Sequence, residues 1–180
     1  MKRTLTRIAL VVAAALPALA QAHPGHDAGV SFATGASHPL TGLDHLLALI
    51  AVGLLAGRMG GRASVAIPAA FLTLLGAGIA LGFAGVNLDF VEPAIVASVL
   101  VCGALALLPP RHLPAATAAL AAFFAVFHGN AHGTEVAAGL GRVYYAAGLM
   151  LTSGLVIAIA SVSAARAGSL STAWVHAPRR

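Results

Sequence analysis

Long apolar runs, separated by short polar intervals, set the pattern of this chain. The runs cover residues 38–57, 64–84, 91–108, 115–135 and 143–163, each close to the ~20 apolar residues that a helix needs to cross a bilayer. Between them lie a basic loop from Arg58 to Arg62, a turn at 85–90 with Asn87 and Asp89, and Pro109-Pro110-Arg111-His112-Leu113-Pro114. The prolines of that last stretch cannot continue a helix. The expected fold is all-α: a polytopic transmembrane helix bundle of five spans over residues 38–165. A shorter apolar core at residues 8–19 follows Lys2, Arg3 and Arg7 and ends in Ala20-Gln21-Ala22. Basic start, short core and A-x-A site are the grammar of a secretory signal peptide over residues 1–22. Left uncleaved, it would add a sixth helix.

Composition agrees with that pattern. The 180 residues are 59% hydrophobic and 8% charged, which excludes an ordinary soluble domain. No polar stretch is long enough for a second domain. The net charge of +5 does not point to nucleic acid, because Lys and Arg are scattered at the ends of apolar runs instead of forming a patch. They read as topology signals. With a cleaved signal the loops expected in the cytoplasm hold Arg58, Arg62, Arg111, Arg166, Arg179 and Arg180, against Arg142 alone outside. The mature amino terminus is then periplasmic over residues 23–37, and residues 166–180 form a cytoplasmic basic tail. Cys102 stands alone in an apolar run, so no intramolecular disulfide and no thiolate cluster can form; it reads as a small packing residue.

Ionisable side chains are costly in hydrocarbon and tend to be functional there. His128, His132 and Glu135 recur at i, i+4 and i+7 within the fourth run, on one helix face. A second group, His38, Asp44 and His45, opens the first run. Because those two spans run in opposite directions, both groups fall in the outer half of the bundle, with His128 about 20 Å up from the cytoplasmic side at 1.5 Å per residue. Each group has a structural alternative: an imidazole bonded to a neighbouring helix, or Asp44 paired with His45 or Arg142. Two groups at one depth favour a metal site. His38 and His45 lie about 10 Å apart along an ideal helix, too far to share an ion unless Pro39 and Gly42 reshape the helix start. Gly129 and Gly133 each follow a histidine and would let a ligand-bearing helix approach. At the mature terminus His23, His26 and Asp27 form either a weak metal-collecting tip or a solvated tail containing histidines. Imidazole with carboxylate, and no sulfur ligand, suits nickel, cobalt or zinc.

His38-Pro39-x-x-Gly42-x-Asp44-His45, with Phe127-His128-Gly129-x-Ala131-His132-Gly133-x-Glu135, resembles the HupE/UreJ family of bacterial membrane proteins, and the likeness extends over essentially the whole chain. It is loosely similar to the larger nickel/cobalt transporters, whose first motif places Asp-His one residue nearer to the leading histidine. The resemblance implies an inner-membrane permease that supplies nickel, or cobalt, to the maturation of hydrogenase or urease. It carries metal contacts onto His38, Asp44, His45, His128, His132 and Glu135. The expected function is therefore that of a secondary permease or facilitator, not an enzyme, with Ni2+ (or Co2+ or Zn2+) as cargo and no prosthetic group. The lipid bilayer is its other partner, and a bundle of so few helices leaves room for a homo-oligomer that encloses a pathway. Two other readings use the same ligands: an intramembrane zinc-dependent hydrolase with Glu135 as general base, and a non-transporting metal-binding accessory protein. No phosphate-binding loop is present.

Overall fold

The structure, a computed structural model, describes residues 30–108 and 114–175, with side chains as far as residue 168. The signal peptide, His23, His26 and Asp27, and most of the proline loop lie outside the described residues. Every regular element described is a helix: α1 (Phe32–Thr41), α2 (Leu43–Met59), α3 (Ala63–Phe83), α4 (Val91–Leu107), α5 (Pro114–Glu135) and α6 (Gly141–Val175).

The first apolar run holds two helices, not one. Helix α1 begins at Phe32, ahead of the expected start at His38, because Ser31 and Thr34 form a reciprocal cap: Ser31 Oγ accepts from the Thr34 amide at 3.2 Å, and Thr34 Oγ1 from the Ser31 amide at 3.0 Å. Gly42 then divides the run. Its amide donates to the His38 carbonyl at 3.2 Å and closes α1, while its own carbonyl accepts from Leu46 at 2.9 Å and opens α2. Glycine has little preference for continuing a helix, and at this residue the chain turns by 79°.

The remaining helices pack through small residues. Helices α3 and α5 meet along Gly78, Gly82, Gly129 and Gly133; a methyl group on Gly82 would lie 2.6 Å from the Gly133 backbone. Helix α6 lies along α2 at Gly53 and Gly57, where Ile157, Ala160 and Ser161 approach, and along α1 at Gly35, beneath the Tyr145 backbone. Helix α4 packs on α2 and α5 through Ala51, Leu55, Cys102, Ala106 and Phe124, so Cys102 is indeed a packing residue. The Arg58 guanidinium donates to the Ala106 carbonyl, tying the end of α2 to the end of α4. The main core, including Val52, Ile67, Phe71, Leu75, Leu149 and Ile157, lies where α2, α3, α5 and α6 converge. Helix α6 continues past Ser163 to Val175, over much of the expected tail, as its Ala-rich stretch favours.

By length and composition α3 and the Gly141–Gly168 part of α6 can each cross a bilayer, and the α1–α2 pair, apolar enough together but bent, counts as a third span only if it crosses as one. Among the described helices, the two other expected spans are not long and apolar enough to cross by the same measure. Helix α4 is only 17 residues long, and the 22 residues of α5 end in polar turns from His128 to Glu135. The all-helical membrane bundle stands.

Candidate metal centre

Helix α5 presents His128 and His132 one turn apart, each 2% exposed. Glu135 follows on the same face, exposed at the end of the helix. Neither glycine between them admits a ligand-bearing helix. Gly129 and Gly133 lie against the α3 backbone at Leu75 and Ile79, a helix that brings only apolar side chains to the seam. The correction is one of direction: close approach on one side of α5 fixes its rotation and leaves the imidazoles facing another.

On that side stands the α1–α2 break. The His132 ring lies 4.7 Å from His38 and 4.3 Å from His45, centroid to centroid, and His45 is 4.8 Å from His128. His38 and His45 are 6.0 Å apart, well below the ~10 Å of a straight helix, because the chain bends between them. The structure thus brings together all four histidines of the two motifs. His38, His132 and Glu135 offer ligand atoms that lie within 4.8 Å of one another, a spacing that could hold a metal ion. Phe71, at 6.3 Å from His128, and Tyr145, at 5.9 Å from His38, border the group.

Asp44 is used differently. It is 5% exposed, and its Oδ1 accepts from the His45 amide at 2.9 Å and from Nδ1 of the same ring at 3.0 Å. Of the pairings open to it, the structure has the one with His45; Arg142 instead lies over the Phe83 ring at 4.8 Å and donates to the Phe83 carbonyl. An ionised carboxylate only accepts, so the proton of His45 sits on Nδ1 and the lone pair on Nε2. That Nε2 is buried and, among the described residues, has no hydrogen-bond partner, as a nitrogen kept for an ion would be.

Two polar contacts escaped the sequence reading. Ser98 Oγ on α4 lies 2.7 Å from His128 Nε2. One hydroxyl in an apolar run carries no periodic signal, and only the fold pairs it with an imidazole. Asn130, on the opposite face of α5 from the imidazoles, accepts from the Leu88 amide at 3.0 Å and donates to the Val86 carbonyl at 2.8 Å, clamping the α3–α4 turn.

The family described as HupE / UreJ protein matches residues 10–178. This chain belongs to the HupE/UreJ family. Within it, Protein HupE of Rhizobium leguminosarum bv. viciae is 35% identical over 164 residues, covering 89% of this chain and 85% of that protein. No solved structure matches. The likeness read from two motifs therefore extends along almost the whole HupE/UreJ chain.

Proposed function

We propose that this HupE/UreJ protein is a secondary permease for a divalent transition-metal ion, with nickel as cargo and cobalt or zinc as the ions that the same donor set would accept. The observation that carries the reading is the convergence of four imidazoles from three helices, with ring centroids 4.3–6.0 Å apart, inside an apolar bundle. Borderline divalent ions favour such nitrogen donors. In the proposed topology five spans carry the chain from a periplasmic amino terminus to a cytoplasmic carboxyl terminus in the bacterial inner membrane.

Glu135, exposed beside buried His132, is the outermost ligand, with His38 completing the first station. The ion then moves inward to His45 and His128. Asp44 keeps His45 oriented and offsets charge without needing to leave that ring. A divalent ion moving inward across 100 mV gains about 4.6 kcal/mol, twice the single-charge value, so no nucleotide is required.

Uptake of radioactive nickel into proteoliposomes tests this. Wild-type protein accumulates the ion, and the His128→Ala, His132→Ala variant falls to the level of empty vesicles. Equal uptake by both would contradict the assignment, and stoichiometric binding without flux would make the protein an accessory metal binder instead.

A further inference from the structure

We propose that Ser98 is a positioning residue that fixes which ring nitrogen of His128 carries the proton and which is left for the metal ion, an inference that rests on the permease reading. Ser98 has one hydroxyl proton and two close neighbours. Its Oγ lies 2.6 Å from the Ile95 carbonyl oxygen and 2.7 Å from His128 Nε2. The carbonyl can only accept, so the hydroxyl donates to Ile95, and Oγ completes its bonding by accepting from Nε2–H. The reverse arrangement would leave two oxygen lone pairs facing each other at 2.6 Å, in a place where Ser98 and His128 are each 2% exposed. Burial prevents water from relieving that repulsion. Nδ1 of His128 therefore carries the lone pair.

Asp44 does the converse for His45, holding the proton on Nδ1 and leaving Nε2, among the described residues, without a hydrogen-bond partner. The two facing rings, 4.8 Å apart, are thus held in opposite tautomers by neighbours on two different helices. Helix α4 brings no imidazole, yet through Ser98 it sets the ligating atom of the deepest one. Groups that orient a metal-binding histidine typically change affinity about 10–100-fold when removed.

The test uses full-length protein carrying nitrogen-15-labelled histidine, in lipid bilayers and without metal, with solid-state NMR reading the ring nitrogens. The wild-type spectrum shows His128 protonated at Nε2 and bare at Nδ1. Ser98→Ala gives a mixture of tautomers and a nickel affinity, by equilibrium dialysis, about 10–100-fold weaker. Ser98→Thr, which keeps a hydroxyl, preserves both. A proton on Nδ1 in the wild type, or an unchanged tautomer in Ser98→Ala, overturns the assignment even if that variant is less stable. Because the tautomer is read without metal, wild-type protein that transports no nickel would refute the permease reading alone, while the spectrum still decides the role of Ser98.

Discussion

Two stretches of this molecule present imidazoles in contrasting ways. In α5 the backbone is a continuous helix, and His128 and His132 share a face simply because they are four residues apart. At the α1–α2 junction the helix is broken, and His38 and His45 converge only because the chain bends by 79° at Gly42. The first arrangement is secured by the tight glycine seam with α3. The second depends on one residue that ends one helix and begins the next. The difference teaches that a periodic motif and a broken one can complete the same cluster, yet they should fail in different ways when altered.

The largest effect should come from the residue where the two stretches meet. His132 contacts His38 at 4.7 Å and His45 at 4.3 Å, so His132→Ala should reduce nickel uptake by more than the ~100-fold that an outer-shell change can cause. Retained uptake would mean that the link from α5 to the α1–α2 histidines does not need His132. Next comes the seam. Gly82→Val would push a side chain into the Gly133 backbone, 2.6 Å from an added Cβ, and overpacking of this kind costs about 1–3 kcal/mol. Thermal unfolding in detergent should show the loss. Gly76→Ala, whose methyl would meet only Met150 Cε at 3.7 Å, should show none.

Asp44→Asn probes the broken side. It keeps the shape and removes the charge that holds the His45 proton on Nδ1, so nickel affinity should fall about 10–100-fold with thermal stability little changed. The smallest effect belongs to Gly42→Ala. Its φ of −84° suits any residue, and its Cβ would meet Asp44 Oδ1 at 3.3 Å and His45 Nδ1 at 3.4 Å, so only small shifts are needed. Alanine favours a continuous helix over glycine by ~1 kcal/mol, and uptake should drop about five-fold at most. A complete loss there would show that the bend tolerates no adjustment at all.

How much of this could be read from the residues follows from the same contrast. The i, i+4 spacing of His128 and His132 is visible in the sequence because helix geometry is fixed, and the apolar runs mark α3 and α6 for the same reason. The break was visible only as a condition, since Pro39 and Gly42 permit a bend without stating its angle. Pro39 turned out to lie inside α1, and Gly42 alone makes the turn. The role expected of Gly129 and Gly133 was misdirected because a glycine announces close approach but not the identity of the neighbour, which proved to be α3. Ser98 was invisible for a related reason: a tertiary hydrogen bond between residues thirty positions apart leaves no local pattern.

The central claim is that histidines from both stretches reach one ion. X-ray absorption at the nickel edge, on metal-loaded protein in bilayers, tests it most directly. The account predicts imidazole scattering around nickel that diminishes when His38 is replaced by Ala and diminishes likewise when His132 is replaced. A nickel environment altered by only one of these substitutions would contradict it.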